Sequence, residues 1–223
     1  MKIVCIPCYW RLDYLPKVLK ALASCQEREK WLVWLGADNV TLPSEITSLA
    51  NRVFEYKNKD CDYTVLSLLL EAFKAGAEQF MYLADDCVPS ADYLRCAATV
   101  AMNRDCAAYG LWWPSHQGCM KYPEILCSSY GRVCPSKAFG IRPDLWMNFY
   151  WLALEFRESR LGTYDCAFAH WIRAHDYKVI FPALSRVRDI SEFGTFDNEE
   201  ALKKFRAIPS CSENYTGEYV RIL

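Results

Sequence analysis

At 223 residues the chain can bury one sizeable core, at most one and a half, so a single domain is the default. A net charge of -1, with acids and bases interspersed, excludes a strongly basic nucleic-acid footprint, though not a local patch. No apolar run reaches membrane length, and the apolar start from Met1 to Pro7 is too short for a signal segment, so a soluble cytoplasmic protein without a membrane span is expected. The 52% apolar and 15% aromatic content implies extended aromatic surface, as core or as ligand platform. The 12 cysteines are scattered through apparent strands and helices, a pattern of reduced, mostly buried thiols.

Lys2 to Cys8 reads as a strand, and Asp13 starts a helix with Leu15, Val18, Leu19 and Leu22 on one face. Trp31 to Gly36 is a second strand running into Asp38, Pro43 to Leu49 a short helix, and Val53 to Tyr56 a third strand. Thr64 to Ala75 is the clearest helix, with Leu66, Leu69, Leu70 and Phe73 aligned and Gly76 as its stop. Phe80 to Ala84 is a buried strand, and Ser90 is placed to cap a helix from Ala91. Strands alternating with helices up to about residue 100 predict a parallel sheet covered on both faces, with right-handed crossovers.

The pattern changes near Asp105 to Tyr109, which divides the domain into residues 1–105 and 106–223. Leu111 to Tyr130 mixes aromatics, Gly118 and Pro123 without a period and reads as strands and loops. Val133 to Ile141 reads as a strand whose Ala138 and Gly140 admit a ligand or another backbone. Pro143 opens a helix continuing to Phe156, Thr163 caps another from Tyr164 to about His175, and Lys178 to Pro182 is a strand. Ala183 to Asn198 is a long segment containing Ser185, Arg186 and Arg188. The tail carries a short amphipathic helix and polar turns.

Asp85 and Asp86 stand where the strand from Phe80 ends, the place where open α/β sheets gather ligands. Adjacent acids repel unless a cation or hydroxyl donors share the site, so they are either solvated turn acids or holders of a divalent ion that carries phosphate oxygens. Cys5 and Cys8 have the spacing of a zinc or redox pair. No second such pair completes a four-ligand set, and they fall in a strand and its exit, which favours a structural role.

Four pieces occur in one order: Pro7-Cys8-Tyr9-Trp10-Arg11, the acidic segment from Leu83 to Leu94, Tyr164-Asp165, and Ser185-Arg186-Val187. In that order the chain, over residues 1–196, resembles a GT-A-fold glycosyltransferase. Its wording is nearest to the branch containing N-acetylglucosaminyltransferase I. The resemblance implies a single-domain α/β, Rossmann-like fold with a mostly parallel central sheet and helices on both faces. It implies a metal-dependent transferase that moves a sugar from a nucleotide-sugar, a UDP-sugar by preference, to an acceptor hydroxyl, by inversion. Mn2+ or Mg2+ would be the cofactor, with Asp86 as the metal-side carboxylate and Asp85 on the ribose or sugar. Pro7, Tyr9 and Arg11 would line the nucleotide and Asp38 would accept hydrogen bonds from base or ribose. Arg186 would neutralise diphosphate, and Asp165 would act as general base. The acceptor would be a glycan or a 5-hydroxymethyl base of phage DNA, in a bacterial or virus-infected cell.

Ala84 stands where the branch has its first acid. Phe196 stands where relatives have a histidine ligand, leaving Asp197 or water as substitute. These departures support an alternative, a catalytically silent nucleotide-sugar-binding module. Trp112 and Trp113, with Pro114 and His116, resemble an aromatic acceptor platform, although core packing is the commoner fate of such residues.

Overall fold

A computed structural model describes residues 1–10, 12–57, 60–112, 125–130, 136–191 and 221–222. The first half runs β1 (Lys2–Cys8), α1 (Leu15–Ala23), β2 (Trp31–Asp38), α2 (Ser44–Thr47), β3 (Arg52–Tyr56), α3 (Cys61–Lys74) and β4 (Gln79–Leu83). β5 (Cys87–Pro89), α4 (Tyr93–Ala101), β6 (Ala108–Gly110), β7 (Ile125–Tyr130) and β8 (Ala138–Ile141) follow. The chain continues through α5 (Pro143–Glu158), α6 (Tyr164–Ala174), β9 (Lys178–Pro182), β10 (Val187–Asp189) and β11 (Arg221–Ile222).

Nine of these strands form one mixed sheet in the order β11-β7-β9-β6-β8-β4-β1-β2-β3, and β10 pairs with β5 as a separate ribbon. The block β3-β2-β1-β4 is parallel throughout. The chain steps outward from β1 to β3 and then returns across two strands to β4. Right-handed crossovers therefore put α1 and α3 on opposite faces, and the crevice lies between the carboxyl ends of β1 and β4. β8 is antiparallel to both its neighbours, β4 and β6. The fold is thus a Rossmann-like α/β domain with a mostly parallel central sheet.

β1, β2 and β4 are buried because helices cover them, which is why β1 and β4 read as continuous apolar runs without alternation, whereas the edge strand β3 is half-exposed. Leu15, Val18, Leu19 and Leu22 of α1 are all buried, as their spacing predicts. α3 starts earlier than its apolar stripe, because Asp60 accepts the Asp62 N–H and caps it. Gly76 closes α3 in the left-handed region at φ 73°. The second half packs through aromatic rings: Trp146 meets Phe80 edge to face at 5.4 Å, and Phe149 meets Phe168 at 5.7 Å and Trp171 at 5.6 Å.

Two expectations need correction. Ser90 does not cap a helix at Ala91: it follows directly on β5, its hydroxyl donates to Asp92 Oδ1 at 2.7 Å, and α4 begins only at Tyr93. The expected strand from Val133 is described only as β8, since residues 131–135 lie outside the described residues. What approaches Gly140 is neither ligand nor backbone but the ring of Tyr109, its cross-strand partner. The tail helix, along with Trp113, Pro114 and His116, lies outside the described residues, whereas Trp112 is buried in the core.

The Tyr109 ring is buried and its hydroxyl receives a hydrogen bond from Gln79 Nε2 at 3.1 Å, so it has nowhere to retreat from a methyl group. Gly140→Ala should therefore destabilise the fold by about 1–3 kcal/mol. In urea unfolding this appears as a lower midpoint with an unchanged slope.

Candidate functional site

The carboxyl ends of β1, β2 and β4 collect most of the residues singled out above. Pro7 is buried in β1 opposite Gly36 of β2, and Tyr9 follows it half-buried on the exit from the strand, with Trp10 52% exposed beside it. Arg11 lies outside the described residues. Asp85 and Asp86 form the turn that leaves β4, with side chains almost wholly withdrawn from solvent. They are not solvated turn acids. Asp85 lies close enough to Cys8 that its charge, added to burial, pushes that thiol well above its ordinary range. Asp85 thus lies near the end of β1.

Asp86 is held by contacts that no local motif announces. Lys137, the residue before β8, donates to Asp86 Oδ2 at 3.2 Å and pairs at 3.3 Å with Oδ2 of Asp189, the last residue of β10. Antiparallel pairing of β5 with β10 sets Asp189 opposite Cys87, and the Ile190 N–H bonds to the Asp86 carbonyl at 2.9 Å. The Ala84 N–H bonds to the Lys137 carbonyl, also at 2.9 Å. Main-chain hydrogen bonds from two directions therefore fix an acid, a base and an acid at the rim. Asp189 Oδ1 is taken by the N–H and hydroxyl of Ser191, while its buried Oδ2 has no hydrogen bond among the described residues.

Asp165 lies in the first turn of α6 and is partly exposed. Its Oδ1 accepts from the Cys166 N–H at 2.9 Å and from the Thr163 hydroxyl, so Thr163 orients the acid instead of capping the helix backbone. The preceding residue, Tyr164, ties this helix start to the rim: its ring packs on Tyr82 of β4 and Phe139 of β8, and its hydroxyl donates to the Ser136 carbonyl at 2.8 Å. Asp165 also faces the start of α3. Burial and, secondarily, the Asp165 charge lift the Asp62 carboxyl from 3.8 to about 6. Arg157 does little to reverse this, reaching Asp62 only at 3.6 Å while its guanidinium is committed to Asp60.

Two of the singled-out residues point inward. The Asp38 carboxylate is fully buried, accepting from Asn39 Nδ2 at 2.7 Å, the Asp60 N–H at 3.1 Å and the Thr64 hydroxyl at 2.8 Å. Those bonds brace the end of β2 against the entry to α3. Arg186 is fully buried, bonded through Nε to Asp92 at 2.7 Å and through Nη1 to the Leu184 carbonyl at 2.5 Å. Its guanidinium locks the β5–α4 corner to the segment leading into β10. Cys5 and Cys8 are buried free thiols, donating to the Leu68 and Ile6 carbonyls, and burial pushes both upward out of the reactive range. No cluster of three or more His, Cys, Asp or Glu side chains suited to a metal occurs among the described residues.

Asp189 and Lys137 went unnoticed in the sequence. Asp189 carried a weak signal, an acid two residues after Val187 on what proves to be a strand. Lys137 carried none.

No protein-family model matches the chain, and no curated protein is similar to it in sequence. Solved structures do share its fold. The S. aureus TarS fragment 1-349 in complex with UDP superposes with a TM-score of 0.61 at 12% identity, over 84% of this chain and 60% of that one. The same fragment has been solved with UDP-GlcNAc. The Pyrobaculum calidifontis mannosyltransferase PcManGT, in complex with GDP-Man and Mn2+, gives 0.53 at 12% identity, over 83% and 57%. The Streptococcus pneumoniae TIGR4 glycosyltransferase GlyE gives 0.52 at 9%, over 79% and 44%. The chain therefore spans about half the length of these glycosyltransferases, and what it has in common with them is their architecture. Among the described residues no helix is long and apolar enough to cross a membrane.

The raised Asp62 carboxyl gives a pH signature. Between about pH 4 and 6 the unfolded chain ionises this residue before the folded one does, so its contribution to stability falls as pH rises. Unfolding free energies of wild type and Asp62→Asn, compared across that range, should move apart in favour of the variant and run level above it.

Proposed function

We propose that the protein is a glycosyltransferase that moves a hexosyl or pentosyl group from a nucleotide-sugar, a UDP-sugar by preference, to an acceptor hydroxyl. The observation that carries the reading is the convergence of Tyr9, Asp85, Asp86 and the start of α6 on the crevice at the carboxyl ends of β1 and β4. The fold concerned is one in which solved proteins hold UDP, UDP-GlcNAc or GDP-Man. Residues 1–105 would bind the donor, and residues 106–223 would supply the base and the acceptor side.

In this reading Tyr9 stacks on the base, Pro7 shapes the floor beneath it, Arg11 adds positive charge, and Asp85 accepts from ribose or sugar hydroxyls. Asp38 and Arg186 act from inside the fold, holding the ends of β2 and β5 where the donor lies. Asp86, with Asp189 beside it, offers the hard oxygen donors that would hold Mn2+ or Mg2+. Such an ion, when bound, supplies positive charge to the diphosphate oxygens. Two protein carboxylates suit an ion that completes its shell with phosphate oxygens and water.

Transfer then needs one proton acceptor. The acceptor oxygen attacks the anomeric carbon, the bond to the nucleoside diphosphate breaks with its electron pair leaving on phosphate oxygen, and the hydroxyl proton passes to Asp165. A base on the face opposite the leaving group gives inversion. The Thr163 and Cys166 bonds hold the carboxylate in one orientation for that task. The acceptor is a glycan or a 5-hydroxymethyl base of phage DNA; DNA affinity that falls steeply with salt would select the latter.

A screen of nucleotide-sugars by thermal shift, with and without Mn2+, identifies the donor, because a ligand that binds only the folded state raises its stability. With that donor, Asp165→Asn should keep the shift while turnover falls on the order of 10²–10⁴-fold. A variant that retains wild-type turnover removes Asp165 as the base. Donor binding without transfer or hydrolysis in the wild type would favour the silent binding module.

A further inference from the structure

Lys137 is placed as a cation between two carboxylates that otherwise repel. The Asp86 and Asp189 side chains are fully buried, the Lys137 side chain is 15% exposed, and the ammonium lies 3.2 Å and 3.3 Å from their Oδ2 atoms. One ammonium offsets only one of the two carboxylate charges, whereas a divalent ion in its place would offset both. The buried Asp189 Oδ2 makes this ion pair and has no hydrogen bond among the described residues. The acids are anchored by backbone, through the Ile190 N–H on the Asp86 carbonyl and the β5–β10 pairing at Asp189. The lysine ammonium sits at the end of a four-carbon stem with rotatable bonds, and its side chain is partly exposed.

We propose that Lys137 gates this carboxylate pair. Its ammonium neutralises Asp86 and Asp189 in the resting protein and moves to the donor's diphosphate when one arrives. A divalent ion and a diphosphate consequently bind together, and each binds poorly alone. Two buried carboxylates side by side must keep a cation, so the lysine cannot leave unless another positive charge replaces it. A diphosphate gives the ammonium a new charge-assisted partner, which makes the exchange favourable only when both ligands are present. Coupling of this kind is reciprocal: whatever factor UDP lends to metal affinity, the metal lends to UDP affinity. The diphosphate half of the proposal rests on the nucleotide-sugar reading above, whereas the lysine's hold on the carboxylates does not.

The test is Mn2+ binding to the whole chain, with free ion counted by electron paramagnetic resonance. Wild type should bind Mn2+ at least about tenfold more tightly with UDP than without it, within the range of ordinary coupling energies. Without UDP, Lys137→Met should bind Mn2+ at least about tenfold more tightly than wild type, and adding UDP should help it less. Adding Asp189→Asn to that variant should abolish the gain. Lys137→Gln keeps a hydrogen-bond donor to the same oxygens without the charge, and gives the same reading if the methionine variant does not fold. Equal Mn2+ affinities in wild type and the lysine variants overturn the gate. UDP binding to wild type is measured separately by calorimetry in the presence of Mn2+, so that absence of nucleotide binding, which defeats the donor reading, is distinguished from failure of the gate.

Discussion

The insertion of β8, antiparallel, between β4 and β6 is the constraint on which the rest of the site depends. A purely parallel sheet would continue from β4 with another parallel strand and leave Asp85 and Asp86 facing only the loops of their own half. β8 instead brings the start of its strand to the finish of β4, so that Lys137 and Ser136 lie at the rim beside the acids. From that one pairing follow the ion pairs to Asp86 and Asp189, the anchoring of Tyr164 and hence of α6, and the close packing of Tyr109 over Gly140.

A second device, the buried pair of Arg186 and Asp92, supports the first. Burying both charges is costly, and their mutual attraction repays it only because the remaining bonds are made: Ser90 to Asp92, and Arg186 to the Leu184 carbonyl. The pair links positions 94 residues apart and sets where β10 lies on β5. Asp189 therefore reaches the rim by way of a framework contact buried inside the fold. Asp38 does a similar service at β2, where three donors fix one carboxylate and with it the entry of α3.

The parallel half of the fold was legible because its signals are local. β1, β4, α1 and α3 show in the sequence as apolar runs and a 3.6-residue stripe, and Gly76 ends α3 where a left-handed residue was needed. The crevice followed from strand order alone, and with it the positions of Tyr9, Asp85 and Asp86. β5, β6 and β10, at three residues each, are too short to show any period, and none of them was read as a strand. Arg186 was assigned to diphosphate by side-chain type, but type says nothing of burial, and its partner Asp92 lies far upstream. Lys137 is 51 residues from Asp86, and reading Val133 to Ile141 as a strand does not say which strand it adjoins, so only the fold could reveal the contact.

The central claim is that the donor occupies the crevice at the carboxyl ends of β1 and β4, against the turn at Asp85 and Asp86. Amide hydrogen exchange with and without UDP and Mn2+ tests it most directly. Slowed exchange should concentrate at residues 8–10, 84–87, 136–138 and 164–166. Protection confined to the opposite end of the sheet, around Gln79, Arg104 and Arg142, would contradict it.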